Sequence, residues 1–278
     1  MTTNDPFGGA TIPRTVVGVD TLTINGLHCR INLPKARVSR YDGSGQEIDQ
    51  GLPEYAQRKA FKVDDCERAP ADWMRSDPAR KAASYFTAVK PEHGLWLDFN
   101  QNNGHAHDVA AIVSIQGVNA VTGQPVNSLA LEQYNEVCPV HQVRFGAERL
   151  CQACGYKWPA QNYLASTGAG HQFWLDGFRA KDGAVRQFVF TEDQSRGVAA
   201  AIIGKARSQA IGVAFYLSKA LKPQPVYRSR GGGLESFGGE EGLESLGAAP
   251  RSIEVAAGAR INQQVHPDKY RLDYWQSE

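Results

Sequence analysis

Three cysteines and one histidine stand in two close pairs near the middle of the chain. Residues 138–159 read CPVHQVRFGAERLCQACGYKWP, so the spacing of the four residues is C-x2-H-x9-C-x2-C. Two intervening residues allow both members of a pair to approach the same ion, and four sulfur and nitrogen donors suit a tetrahedral metal ion. We therefore predict that one metal ion is bound by Cys138, His141, Cys151 and Cys154.

The same residues admit two other interpretations. Cys151 and Cys154 could form a disulfide or redox pair with His141 nearby by chance, or the thiols could be buried without a ligand. A redox CxxC motif normally begins a helix, whereas GYKWP follows Cys154 here. We favour metal binding in a structural role, because four protein donors leave no coordination position open for water or substrate.

This stretch resembles the zinc-ribbon and rubredoxin-type knuckle, in which a C-x2-C-G turn faces a second ligand pair. The resemblance covers about 20 residues and implies zinc as the ion, with the four residues named above as its ligands. Gly155 follows the second pair and suits a turn with positive φ, from which backbone amides can point at the sulfurs. His141 replaces a cysteine, which many zinc sites accept and rubredoxin-like iron redox work does not favour. Between the pairs, we predict a minimal hairpin that turns at Gly146.

A second group of candidate ligands lies in the sequence NNGHAHD, residues 102–108. Alternate residues on a strand share one face, so His105 and His107 could hold one metal ion, with Asp108 beside them. The H-x-H element resembles that of cupins and several metallohydrolases, which implies an enzyme or a small-molecule binder. The glutamate of the cupin pattern is replaced by alanine and isoleucine here. A polar loop that leads into a buried strand is the interpretation we favour.

Composition limits the classes of function. The chain has 278 residues, a formal net charge of +1, 42% hydrophobic residues and 21% charged residues, as expected for an ordinary globular protein. The neutral balance does not favour nucleic acid, although Arg144, Arg149 and Lys157 give the knuckle some basic character. The sequence shows neither a membrane-spanning apolar run nor a secretory leader, so we expect a cytoplasmic protein with no membrane partner. Cys29 and Cys66 lie far apart, and we expect buried thiols there.

The remaining sequence predicts a β-rich α+β fold, with an antiparallel sheet, sandwich or barrel-like core that carries the knuckle as an insertion at 134–165. Leu95, Leu97 and Phe99 alternate as strand residues do, and Asp182-Gly183 predicts a tight hairpin turn. Helices are expected at 77–89 and at 197–210, the latter with Thr191 as its N-cap. The other predicted strands are 14–19, 21–33, 36–45, 108–126, 171–180, 184–190, 211–218 and 251–265.

The C-terminal part of the chain changes in composition. After the core domain, residues 1–221, the segment 222–250 is rich in Gly, Pro, Ser and Glu and is predicted to be a flexible linker. Residues 251–278 are too few to form their own core and must dock elsewhere, on the same chain or on a neighbouring subunit. As the interface anchors of this segment we predict Tyr270, Tyr274 and Trp275.

The sequence contains no G-x-G-x-x-G, P-loop or G-x-S-x-G motif, and these absences favour a protein that is not an enzyme. We expect a zinc-stabilised assembly, adaptor or scaffold protein that associates with itself or with another protein. A metal-dependent enzyme or β-barrel binder that uses His105 and His107 is the first alternative. A nucleic-acid-binding zinc ribbon is the second.

Overall fold

The computed structural model describes residues 21–24, 27–34, 55–67, 69–99, 107–165, 174–204, 210–221, 253–263 and 265–275. The predicted strands at 14–19 and 36–45 and the predicted linker at 222–250 lie outside these residues. The strands are β1 (Thr21–Ile24), β2 (Leu27–Pro34), β3 (Tyr55–Gln57), β4 (Phe61–Lys62), β5 (Tyr85–Phe86), β6 (Gly94–Asp98), β7 (His107–Ile115), β8 (Val118–Asn119), β9 (Gln124–Pro125), β10 (Leu150–Cys151), β11 (Tyr156–Lys157), β12 (Leu164–Ala165), β13 (Trp174–Leu175), β14 (Gly177–Arg179), β15 (Val185–Thr191), β16 (Ile211–Leu221) and β17 (Glu254–Ile261). The helices are α1 (Val198–Ile203) and the short 3₁₀ helices Val63–Asp65, Pro78–Arg80, Ala147–Arg149, Gln194–Arg196 and Leu272–Tyr274. No described helix is long and apolar enough to cross a membrane.

Two antiparallel sheets contain most of the described strands. The larger sheet has the order β1-β2-β6-β15-β14, with β3 beside β2, β13 beside β6 and β17 beside β15. The smaller sheet has the order β12-β7-β8-β9, with β16 beside β7. The predicted β-rich α+β class is confirmed. None of the described sheets closes on itself, so the arrangement fits the predicted sandwich rather than a barrel.

The main core lies between the two sheets. Leu95 and Leu97 of β6 and Phe188 of β15 belong to one buried cluster with alternate residues of β7, because side chains two apart on a strand share a face. Burial of each of these large apolar side chains stabilises the fold by about 1.5–3 kcal/mol. The β7 residues in this cluster are Val109, Ala111, Val113 and Ile115.

The opposite face of β7 is covered by the C-terminal segment. Ala110 and Ile112 cluster there with Tyr163 and Trp275, and Trp275 is only 4% exposed. The segment first adds β17 to the larger sheet, where residues 254–261 pair with β15. Residues 265–275 then pack against the smaller sheet of the same chain, so one segment contacts both layers of the sandwich.

Polar contacts also hold this segment against the rest of the chain. The Asp268 carboxylate accepts hydrogen bonds from the Tyr163 hydroxyl at 2.6 Å and from the Trp275 indole at 2.9 Å. Tyr274 stacks on Tyr270, with ring centroids 3.9 Å apart. The three residues predicted as interface anchors thus contact their own chain in this structure.

The helix predicted at 77–89 is wrong. Asp77 caps only the 3₁₀ helix Pro78–Arg80, accepting from the amides of Ala79 at 3.0 Å and Arg80 at 3.3 Å. The chain then extends into β5, where Phe86 stacks on Phe61 of β4 with ring centroids 5.5 Å apart. Contacts with residues distant in sequence therefore override the local helix preference of this stretch.

The second helix is shorter than predicted and has a different cap. Helix α1 ends before Gly204, whose φ is 80°, and residues 205–209 lie outside the described part of the chain. Thr191 is the last residue of β15 rather than an N-cap. Asp193 instead caps the 3₁₀ helix Gln194–Arg196 by accepting from the Ser195 amide at 2.9 Å. The hairpin of β14 and β15 forms as predicted, with Gly183 at a φ of 87° in its turn.

Candidate metal centre

Two similar loops carry the candidate ligands. In the first, the Gln142 amide donates to the Cys138 carbonyl at 2.8 Å, and in the second the Gly155 amide donates to the Cys151 carbonyl at 2.7 Å. Each donating residue lies four positions after the cysteine and has a positive φ, 54° for Gln142 and 65° for Gly155. Glycine adopts this conformation readily, whereas the Gln142 side chain fixes its own turn by donating to the Pro139 carbonyl at 2.9 Å. The two loops are therefore local copies of one turn.

The paired strands of this region flank the second loop. Leu150 pairs with Lys157 and Cys151 with Tyr156, so β10 and β11 form a hairpin around the second ligand pair. The predicted hairpin that turns at Gly146 is wrong, because Gly146 has a φ of −77° and precedes the 3₁₀ helix Ala147–Arg149. The first loop is closed instead by a bridge from residue 137 to residue 144. Each ligand pair thus lies at the tip of its own turn.

The turns bring the four predicted ligands together. One donor atom from each of Cys138, His141, Cys151 and Cys154 lies within 4.8 Å of all the others. The Nδ1 atom of His141 lies 3.6 Å from the Cys138 sulfur and 3.8 Å from the Cys151 sulfur. These side chains could therefore hold a metal ion.

Backbone amides also point at the sulfurs. The amides of Val140 and His141 donate towards the Cys138 sulfur, and burial nevertheless raises the pKa of this thiol. Burial also opposes ionisation of Cys151, but amide donors and the neighbouring thiols outweigh it and lower its pKa to about 7. Amides directed at sulfur stabilise thiolate, which is the form that binds metal.

The surroundings of the ligands form a small cluster separate from the main core. Cys138 and Cys151 are fully buried, whereas His141 is exposed. Trp158, 4% exposed, packs against Tyr156 with ring centroids 5.2 Å apart. A cluster of two thiols and two aromatic rings buries little apolar surface, so a bound ion would supply much of its stability.

The Arg149 side chain forms hydrogen bonds with both ends of the knuckle. Its guanidinium donates to the carbonyls of Asn135 at 3.1 Å and of Trp158 and Pro159 at 3.2 Å, and also to the Tyr134 carbonyl. Burial lowers the pKa of this guanidinium. The side chain thus joins the segments before and after the ligand loops. No sequence pattern signals this role, since an arginine in a polar stretch is usually a surface base.

A close backbone contact joins the knuckle to the sandwich. The Tyr156 hydroxyl donates to the Thr122 carbonyl at 2.5 Å, and the Arg179 guanidinium donates to the Lys157 carbonyl at 3.1 Å. Gly123 has a φ of +66°, and a Cβ there would lie 2.2 Å from the Arg179 carbonyl oxygen. Only glycine permits this approach.

The second candidate site, formed by His105, His107 and Asp108, lies only partly within the described residues. His105 lies outside the described residues, and His107 begins β7 with a side chain that is not described. Asp108 is buried, and its carboxylate accepts from the Tyr274 hydroxyl at 2.8 Å. In the part of the chain that the structure describes, Asp108 does not belong to a group of three or more ligand side chains. Cys66 is a buried thiol, and the Cys29 side chain is not described.

Comparison with protein-family models, with curated proteins and with solved structures gives no match to this chain.

Proposed function

We propose that the knuckle binds one zinc ion in a structural role and that the chain is a non-enzymatic assembly or adaptor protein. The observation that carries this proposal is the set of four protein donors drawn from two matching turns. Four protein ligands are typical of structural zinc sites, whereas catalytic sites keep one position for water or substrate.

The donor distances and chemistry support zinc. Zinc–sulfur bonds of about 2.3 Å and zinc–nitrogen bonds of about 2.0–2.1 Å at tetrahedral angles place nitrogen and sulfur about 3.6 Å apart. The His141 nitrogen lies 3.6 and 3.8 Å from two of the sulfurs. Three thiolates and one imidazole form a soft donor set, which favours zinc over magnesium or calcium.

An apolar surface on the first ligand loop supports a protein-binding role. Val137, Val140 and Val143 are 39%, 62% and 40% exposed, and all three lie within one turn around the exposed His141. Three exposed apolar side chains within seven residues are compatible with a contact surface on this loop. Zinc would keep this loop in one conformation and so lower the entropic cost of binding.

The alternative role in nucleic-acid binding is less well supported. Arg149 is committed to backbone carbonyls, as described above. Lys157 contacts Glu148 at 2.5 Å and Arg144 contacts Glu136 at 3.5 Å, so each remaining basic residue already faces a carboxylate. Phosphate binding would need several of these cations at once. The enzyme alternative is weakened in the same way, because the Asp108 carboxylate already accepts a hydrogen bond from Tyr274 of the C-terminal segment.

Native mass spectrometry tests the proposal by reading zinc per chain and copies per particle together. We expect one zinc per chain in the wild type and in Cys66→Ser, a matched control because Cys66 is a buried thiol outside the cluster. Cys151→Ser should lose the zinc. Zinc that remains in Cys151→Ser would contradict the assigned centre. A particle of one copy that captures no protein partner would contradict the assembly role. A second metal equivalent that is lost in His105→Ala would favour the enzyme alternative.

A further inference from the structure

Strand β16 has one open edge in the described part of the chain. Residues Ile211 to Leu217 pair with β7 on one side without interruption. On the other side, the described contact is a single bridge between Ser218 and Trp275. Among the residues that the structure describes, none other pairs with the outer backbone groups of residues 211–217.

The direction of these groups follows from the neighbouring strands. The Ala120 amide donates to the Val113 carbonyl at 3.0 Å, so Val113 directs its peptide groups towards β8. Val213 lies opposite Val113 and therefore directs its own amide and carbonyl away from β7. The Gln116 amide donates to the Ala210 carbonyl at 3.0 Å, which places the even-numbered residues on the inner side. The residues whose backbone amides and carbonyls point away from β7 are thus Ile211, Val213, Phe215 and Leu217, which we call the outward residues.

The chemistry of this edge favours pairing with another strand. Its sequence, IGVAFYL, contains neither a charged residue nor a proline, and the register shift of β16 lies after Leu217. Proteins usually protect an open edge with charged residues, proline or a β-bulge, because unpaired backbone groups can pair with further strands. Both faces of β16 are also packed: Phe215 joins the main core, and Tyr216 joins the cluster under the C-terminal segment. Within the described part of the chain, this edge is therefore supported by packing on both faces of its strand and has no protective feature of its own.

We propose that this edge pairs antiparallel with the same edge of a second copy of the chain, centred on Ala214. The proposal deepens the assembly role, on which it rests, by naming the partner. Trp275 at Ser218 limits the open stretch at one end, so centring on Ala214 gives the greatest overlap. Ile211 then faces Leu217 of the partner subunit, and no charged pair arises.

In this register, every outward amide and carbonyl of residues 211–217 has a hydrogen-bond partner on the second copy. Residues whose numbers sum to 428 face each other, so each outward residue meets another outward residue. In an antiparallel ladder such pairs exchange both of their hydrogen bonds. A second copy of the strand is thus complementary in backbone direction as well as in apolar character.

The size of the contact predicts a reversible dimer. Seven residues span roughly 24 Å at about 3.4 Å per residue, which is a narrow strip. A stable interface buries about 800 Å² on each partner, and a single strand edge buries less. We therefore expect the dimer fraction to increase with concentration.

Cysteine cross-linking tests the register. In the proposed dimer Ala214 faces its own symmetry mate in a non-hydrogen-bonded pair, whose Cα atoms lie about 4.5 Å apart, within the range of a disulfide. Ala214→Cys should therefore form an intermolecular disulfide under mild oxidation. The 30.4 kDa chain would then run at twice its mass on a non-reducing gel.

Gly212→Cys is the matched control on the same strand. Residue 212 faces residue 216 of the partner, so the two introduced sulfurs would be about 14 Å apart and should not bond. A Cβ at Gly212 meets only the Ser114 Cβ at 3.9 Å, so the control should fold normally. Thermal melts of both variants check this, and the wild type gives the background from its own cysteines.

A second measurement uses the chain without added cysteines. Val213→Pro removes an outward amide donor that β7 does not use, so it should weaken dimerisation at least tenfold in sedimentation equilibrium. A monomer at all concentrations, without cross-linking of Ala214→Cys, would overturn the proposal, as would cross-linking that is equal in the two cysteine variants. A defined oligomer without the Ala214→Cys cross-link would overturn edge pairing alone and leave the assembly role standing.

Discussion

The buried Asp176 carboxyl should make the free energy of unfolding depend on pH. It lies between β13 and β14, is 1% exposed, and its Oδ1 atom has no hydrogen-bond partner. Burial raises the pKa of this carboxyl from 3.8 to about 7. A shift of about three units at about 1.4 kcal/mol per unit corresponds to a difference on the order of 4 kcal/mol between the two ends of the titration.

The sign of the pH dependence follows from the direction of that shift. Between pH 4 and 7 the folded protein keeps the Asp176 proton while the unfolded chain loses it. The folded state therefore binds more protons, and the free energy of unfolding falls as pH rises through this window. Asp176→Asn cannot ionise, so its free energy of unfolding should lack this fall. The variant should be more stable than the wild type at pH 8 by a few kcal/mol, less the cost of burying an unpaired amide.

Urea unfolding at a series of pH values from 4 to 8 measures both curves. Asp72→Asn is the control, because Asp72 is exposed and its replacement should leave the wild-type profile unchanged. Parallel curves for wild type and Asp176→Asn would refute the reasoning, since they would show that the carboxyl titrates alike in the folded and unfolded states.

Four further outcomes are expected. Tyr156→Phe should lower the free energy of unfolding by about 1–2 kcal/mol, because it leaves the Thr122 carbonyl without its donor; urea titration measures this. Gly123→Ala should destabilise more than Tyr156→Phe in the same assay, since its Cβ would meet the Arg179 carbonyl at 2.2 Å. Trp275→Ala should cost about 3–5 kcal/mol in urea, because it opens a cavity over β7. Removal of the metal by a chelator should expose Trp158 and so shift the tryptophan fluorescence to longer wavelength relative to Trp158→Phe, and it should leave the strand signal in circular dichroism, with recovery when zinc is restored.

The features that the sequence predicted well are set by nearby residues. The candidate ligand pairs come together through turns of a few residues, and the positive φ at Gly155 was expected from its place after Cys154. The β14–β15 hairpin likewise depends on the adjacent Asp182 and Gly183. Local turn chemistry therefore placed these elements correctly.

The features that the sequence missed depend on contacts between distant residues. The segment at 77–89 has helix-forming residues, but the stacking of Phe86 on Phe61 draws it into a strand. Gln116 and Gly117, with φ of 52° and 95°, form the turn between β7 and β8, although glutamine gives no turn signal. The buried Gln116 side chain accepts from the Val255 amide at 3.0 Å, a contact that only the folded chain reveals.

X-ray absorption at the zinc edge of the purified protein tests the central claim most directly, because it reads the ligands of the bound ion. We expect three sulfur neighbours at about 2.3 Å and one nitrogen at about 2.0–2.1 Å. The nitrogen should be absent from the spectrum of His141→Cys, which should show four sulfurs. An oxygen neighbour in the wild type, or fewer than three sulfurs, would contradict a closed structural centre formed by Cys138, His141, Cys151 and Cys154.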